Sequence, residues 1–230
     1  MKKFALFLLA VAALPLVWGV CAALPGLFAL APANDDGAIF SAEAMGLLAG
    51  MLAELALWVA FPVPVRLYVL GHEMTHAMVG MLFGAKPSNL RVTVRGGSVL
   101  LTKSNVWITL APYFVPFYTV LVVLAALAVR LWLGRLPCAW AWTFAVGFTY
   151  AFHFLFTIRS LRQEQPDIHE YGRLFSWELI FLLNALGVFL WVACTGGVPF
   201  VPAAKTLWQS VSETYSFLHE SISSLPFLQK

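Results

Sequence analysis

"GHEMTHAMVG", residues 71–80, places His72, Glu73 and His76 within an otherwise apolar run. An ionisable side chain near the centre of a bilayer costs about 2.5–3.5 kcal/mol on insertion scales, so each such group requires a compensating partner. The pattern is HExxH, and residues i and i+4 of a helix share one face, so both imidazoles can bind one zinc ion. Glu73 would then take a proton from a water molecule on that zinc, whose pKa the metal lowers towards about 7. The decapeptide therefore predicts a zinc site on a helix.

The composition indicates an integral membrane protein. Of the 230 residues, 61% are hydrophobic and 11% are charged. Apolar stretches of about 18–25 residues recur, and about 20 helical residues cross a hydrocarbon core of roughly 30 Å. We predict an all-α polytopic membrane protein with about six hydrophobic helices and one small β-hairpin near the zinc site. The helices are expected near Phe4–Leu30, Met45–Phe61, Leu67–Phe83, Val106–Leu133, Cys138–Ile158 and Leu174–Cys194.

Charge and cysteine content argue against two other classes of protein. The formal net charge is +3 with no run of like charge, so nucleic acid is not expected as a partner. Cys21, Cys138 and Cys194 show no CxxC spacing, so neither a disulfide framework nor a thiolate zinc site is indicated. The partner that the composition does indicate is the lipid bilayer.

The chain is expected to contain three segments: residues 1–40, an N-terminal hydrophobic helix with a polar loop; residues 41–196, the membrane-embedded core; and residues 197–230, a C-terminal amphipathic helix. The N-terminus, with Lys2 and Lys3, resembles a signal peptide, and Val20–Ala22 offers a candidate cleavage site. However, the apolar run exceeds the roughly 7–15 residues of a signal h-region, which favours a retained helix.

Two interruptions are expected in the core. Met45–Phe83 is apolar almost throughout, and a straight helix of that length would span roughly 60 Å. Pro62 and Pro64 mark the predicted bend. Further on, polar and apolar residues alternate on both sides of Gly96–Gly97, which predicts two strands joined by a two-residue Gly-Gly turn.

Two residues compete for the position of third zinc ligand. Asp167 is the only aspartate after the motif, and Pro166 before it should break the helix. His153 is the rival, because it lies six residues before Arg159, as His76 lies eight residues before Gly84, so the two histidines should be about 9–12 Å deep. His153 can alternatively orient a ligand from outside the metal's own shell.

The order of these features resembles the site-2 protease family of intramembrane zinc metalloproteases. The features are HExxH on an apolar helix, then "LFGAKP", a hairpin, a helix that opens "LAPYFVPFY" and a later Pro-Asp, over about Arg66–Leu174. The resemblance implies that His72, His76 and Asp167 bind Zn²⁺ and that Glu73 is the catalytic base. It also implies that the substrates are other membrane proteins, cleaved within or next to their transmembrane segments.

The hairpin suits such a reaction on physical grounds. A helical substrate must unwind before water can reach its peptide bonds, and an exposed strand can accept the unwound segment as an added strand. We expect the hairpin residues that bind substrate to be Val92, Val94, Val99 and Leu101.

Basic residues indicate the orientation. The loops Lys86–Lys103 and Arg159–Arg173 hold seven of the fourteen Lys and Arg residues and are separated by two predicted helices, so both are expected on the cytoplasmic side. The active site should then lie towards the cytoplasm, and the short basic N-terminus suits a bacterial inner membrane. The alternative function is non-hydrolytic: a membrane protein that binds or transports zinc through the same residues.

Overall fold

The chain is predominantly helical. The computed structural model describes residues 2–30, 41–195 and 198–224, so most of the predicted polar loop, with Asp35 and Asp36, lies outside the described residues. The helices and strands are α1 (Lys2–Ala29), α2 (Ala42–Ala60), α3 (Val65–Leu82), β1 (Pro87–Thr93), β2 (Gly96–Leu101), α4 (Val106–Leu110), α5 (Phe117–Leu133), α6 (Ala139–Leu161), α7 (Pro166–Tyr171), α8 (Arg173–Thr195) and α9 (Phe200–Ser223). They form two compact units, Asp36–Asp167 and Met1–Asp35 with Ile168–Lys230.

Four helices in the described parts of the chain are long and apolar enough to cross a membrane: Lys3–Leu27, Ala42–Ala60, Ala139–Leu161 and Arg173–Ala193. A fifth span results if the bent pair α4 and α5 counts as one. Helix α3, which carries the HExxH motif, is not among them. The membrane character is therefore supported, whereas the predicted set of six spans is not confirmed.

The predicted helix Val106–Leu133 is divided into two helices at Pro112 and Pro116, two prolines whose presence in the sequence already indicates a kink. Helix α4 runs into a 3₁₀ turn at Ala111–Tyr113, and α5 starts at Phe117 after a bend of 83°. The cause is Pro112 and Pro116, because proline lacks the backbone donor of a helix and disfavours helical geometry in the residue before it. The bend brings the 3₁₀ turn against α3.

The break between α2 and α3 confirms the predicted bend at Pro62 and Pro64. Helix α2 packs closely along α6, and both run in the same direction. Glycines make this approach possible, because a Cβ atom at Gly46, Gly50 or Gly147 would collide with the backbone of the facing helix. The end of α2 therefore lies beside the end of α6, where the Trp58 and Phe156 rings are 4.9 Å apart.

The predicted hairpin is present, but its turn lies elsewhere than predicted. Strands β1 and β2 are antiparallel with Thr93 paired to Gly96, so Val94 and Arg95 form the turn and both glycines belong to β2. The Thr93 hydroxyl donates to the Gly96 carbonyl and accepts from the Arg95 amide, which stabilises the turn without a Gly-Gly pair. Gly97 instead permits close contact with α3, because a Cβ atom there would lie 2.5 Å from Val69 Cγ1.

The second unit contains α1, α8 and α9. Its core comprises Ala23, Leu27, Phe189, Val192, Ala193, Val198 and Ala203. Helix α9 lies within the predicted C-terminal segment, residues 197–230, and runs antiparallel along α1. The Ser210 Oγ hydroxyl donates to the Gly19 carbonyl, and the Tyr215 hydroxyl donates to the Ala12 carbonyl. The N-terminal and C-terminal segments, assigned separately from the sequence, thus pack together.

Candidate metal centre

Helix α3 presents His72 and His76 on one face, as their spacing predicts. The two ring centroids lie 4.8 Å apart, and the side chains are 12% exposed. Helix α3 begins just after the Pro62–Pro64 break, so His72 lies only two turns from its start. The histidine pair therefore straddles the middle of the helix, since His76 in turn lies less than two turns before its end at Leu82.

Asp167 completes a group of three candidate ligands. Its Oδ2 atom lies 3.4 Å from His72 Nε2 and 3.5 Å from His76 Nε2. Two ligand atoms at about 2.0–2.1 Å from a tetrahedral ion are roughly 3.3 Å apart, so these separations fit one ion between them. Two imidazoles and one carboxylate also form a donor set that zinc accepts while leaving a position for water. Among the described residues this is the group that can hold a metal ion.

The Asp167 carboxyl is held in its ionised form. Burial raises its pKa, but the hydrogen bonds and charges of His72 and His76 outweigh burial and hold the pKa well below its usual range. The Tyr113 hydroxyl also donates to Oδ2, at 3.0 Å. A carboxylate rather than a carboxylic acid therefore faces the two imidazoles, as metal binding requires.

Hydrogen bonds on the far side of each ring orient the imidazoles. His76 Nδ1 lies 2.9 Å from the Ile108 carbonyl, which can only accept, so Nδ1 carries a proton, and Nε2 is the nitrogen that faces Asp167. His72 Nδ1 lies 3.3 Å from the Tyr68 hydroxyl, which is also bonded to Ser160 Oγ. In both rings, Nδ1, which faces away from Asp167, therefore has a hydrogen-bond partner, as is usual for histidines that bind a metal through Nε2.

Glu73 lies beside the histidine pair and is 7% exposed. The hairpin backs directly onto it, since a Cβ atom at Gly97 would lie 2.8 Å from Glu73 Cγ. Glu73 also lines a cleft of about 300 Å³ together with His72. The carboxylate is therefore shielded by the hairpin on one side and open to a small polar space on the other.

The rival ligand, His153, is not part of this group. It lies on α6, half-buried, with its ring 6.3 Å from that of Tyr150. The depth comparison that favoured it measured His76 from Gly84, at the C-terminal end of α3. In the structure the N-terminal end of α3 adjoins the C-terminal end of α6, with the Tyr68 ring stacked 4.3 Å from that of Phe156. The segment after α6 therefore lies close enough to α3 for Asp167 to approach both histidines.

Among the predicted hairpin residues, Val92, Val99 and Leu101 are half-buried, whereas Val94, in the turn, is 58% exposed. Leu101 contacts α3 near Gly80. Strands β1 and β2 form a two-stranded sheet in the described part of the chain, which leaves each with one unpaired edge.

Sequence reasoning missed Tyr68, Tyr113 and Ser160, the hydroxyl groups next to the candidate ligands. Tyr68 could have been predicted from the sequence, because it precedes His72 by four residues and therefore lies on the same face of the helix. Tyr113 and Ser160 belong to other elements, and their approach depends on the bend after α4 and on the packing of α6.

Tyr68→Phe is expected to lower zinc affinity about 10–100-fold, the range found when a partner of a ligating histidine is removed. The substitution keeps the ring stacked on Phe156 and removes only the hydroxyl near His72 Nδ1. Tyr150→Phe is the matched control, since it deletes a hydroxyl in α6 and should leave zinc affinity unchanged. Competition with a chromophoric chelator measures both. Equal affinity for the two variants would contradict the proposed role of Tyr68.

No protein-family model, no curated protein and no solved structure matches this chain.

Proposed function

We propose that this protein is an intramembrane zinc endopeptidase that hydrolyses peptide bonds within or next to transmembrane segments of other membrane proteins. The observation that carries the proposal is the approach of Asp167 Oδ2 to both His72 Nε2 and His76 Nε2, with Glu73 beside them. This donor set combines a zinc-type centre with a carboxylate base in a chain that has four candidate spans. The resemblance to the site-2 protease family supports the same function.

His72, His76 and Asp167 would hold the zinc ion. When bound, zinc lowers the pKa of a water ligand and polarises a carbonyl oxygen. Glu73 accepts one proton from water as the water oxygen forms a bond to the peptide carbonyl carbon, and then delivers that proton to the amine nitrogen as the C–N bond breaks. Water and peptide thus become one carboxyl and one amine end.

The hairpin supplies the means of holding an unwound substrate. Its unpaired edges can bond to a substrate backbone, whose groups would otherwise be unsatisfied where water is scarce. The candidate contacts remain Val92, Val94, Val99 and Leu101. We further propose a multi-pass location in a bacterial inner membrane, with the site towards the cytoplasm, where the basic hairpin and the end of α6 lie.

The proposal is tested by zinc content and proteolysis of the same sample. Detergent-purified protein is expected to contain about one zinc ion per chain and to cleave members of a library of single-span proteins in proteoliposomes. A chelator should stop cleavage and added Zn²⁺ should restore it. Protein that binds zinc and never cleaves would favour the non-hydrolytic alternative, whereas protein that binds no zinc would contradict both functions.

A further inference from the structure

The cleft beside Glu73 is lined by two arginines. Arg95 lies in the turn of the hairpin, and Arg159 lies in the last turn of α6. Both side chains are exposed, whereas Glu73 in the same cleft is buried. Two distant parts of the sequence thus bring guanidinium groups to the mouth of the space that leads to the proposed base.

Neither arginine is neutralised by a carboxylate within the described residues. The ion pairs there join Asp167 to His72 and to His76. Apart from the arginines, the charged side chain in the cleft lining is Glu73, and it lies at the buried end. The mouth of the cleft is therefore cationic and has unused hydrogen-bond donors.

The donors suit a carboxylate. A guanidinium forms paired, charge-assisted hydrogen bonds with the two oxygens of a carboxylate. Gln163 and Gln165 also line the cleft, and their amide groups can donate to the same anion or bond to a peptide backbone. A positive cleft also attracts acidic ligands and repels basic ones before contact.

We propose that this arginine cleft, formed by Arg95, Arg159, Gln163 and Gln165, selects substrates that carry an Asp or Glu close to the bond that is cleaved. The inference rests on the proposed function, because the cleft contains Glu73 and His72 as well as the arginines. The phosphate of an anionic lipid has similar chemistry. We favour the peptide carboxylate because Arg95 and Arg159 line the same cleft as the proposed base, Glu73. Arginines that only bind lipid headgroups would not have to lie in that cleft.

A binding experiment tests the arginine cleft without requiring hydrolysis. Glu73→Gln protein in nanodiscs of zwitterionic lipid is titrated with two fluorescent peptides. Each has about 20 apolar residues, the length of one span, with a Gly-Pro pair near one end. One peptide carries Asp two residues beyond the pair, and the other carries Asn there. We expect the Asp peptide to bind about tenfold more tightly, given the strength of hydrogen bonds to charged groups.

Adding Arg95→Gln and Arg159→Gln should remove this preference, so that the Asp and Asn peptides bind with equal affinity. Arg130→Gln with Arg135→Gln is the matched control, because it removes the same charge from the end of α5 and the loop that follows. The control should keep the preference. Equal binding of both peptides, a preference that survives the Arg95 and Arg159 changes, or a preference lost equally in the control would each overturn the proposal.

The lipid alternative has its own outcome. If the Arg95 and Arg159 changes reduce co-purified anionic phospholipid while no peptide preference exists, the cleft binds headgroups and the proposal is overturned. Failure of the proposed function is seen separately, as wild-type protein that lacks zinc or does not cleave, because the peptide preference is read from binding alone.

Discussion

Glu73→Gln is expected to abolish measurable peptide hydrolysis while zinc stays bound. The amide has nearly the same size as the carboxylate, so it fits against the hairpin at Gly97 and leaves His72 and His76 in place. It cannot accept a proton from water, and loss of a general base costs about 10²–10⁴ in rate. Cleavage in proteoliposomes and zinc per chain by elemental analysis are the two measurements.

Glu54→Gln is the matched control for this experiment. Glu54 is also a buried glutamate, 4% exposed, but it lies on α2 and is not part of the candidate centre. We expect the control to retain both zinc and most of the hydrolysis. Cleavage by Glu73→Gln at the wild-type rate would contradict the role of Glu73 as base, and loss of zinc in that variant would make Glu73 part of the metal site instead.

Asp167→Ala is expected to lower zinc affinity by more than about 100-fold, beyond the range that outer hydrogen-bond partners produce. The change removes the carboxylate that both histidines face and to which the Tyr113 hydroxyl donates a hydrogen bond. Hydrolysis should disappear with the metal. Affinity is measured by chelator competition, and circular dichroism confirms that the helices remain.

His153→Ala, the comparison variant, should keep about one zinc ion per chain, since His153 lies outside the group of candidate ligands. The two variants together identify the third ligand. Zinc retained in Asp167→Ala and lost in His153→Ala would contradict the assignment, and zinc retained in both would mean that neither side chain is required.

The arginine cleft and the metal centre lie in the same compact unit but depend on different contacts within it. The metal centre requires Asp167 to approach α3, and the cleft requires the hairpin turn to approach the end of α6. Both depend on the parallel packing of α2 with α6, which places the break before α3 beside the C-terminal end of α6. A bulky residue at Gly50 should therefore disturb zinc binding although Gly50 belongs to neither site.

Local patterns in the sequence determined much of this structure. Apolar runs predicted the positions of the long helices, prolines predicted the break before α3, and alternation predicted the hairpin. HExxH predicted that His72 and His76 share a face. These features depend on residues a few positions apart, whose geometry follows from the period of a helix or a strand. Pro112 and Pro116 likewise indicate a kink between α4 and α5, but the sequence does not give the angle of that bend, which is 83°.

Tertiary structure decided the rest. Asp167 and His153 were both plausible ligands because depth along a helix says nothing about which helix ends meet. Contact between the start of α3 and the end of α6 brought Asp167, rather than His153, to the histidines. Likewise, Gly97 lies in a strand because it must pass close to Val69, not because a turn needs it. Such contacts join residues far apart in the chain, and only the packing of whole helices determines them.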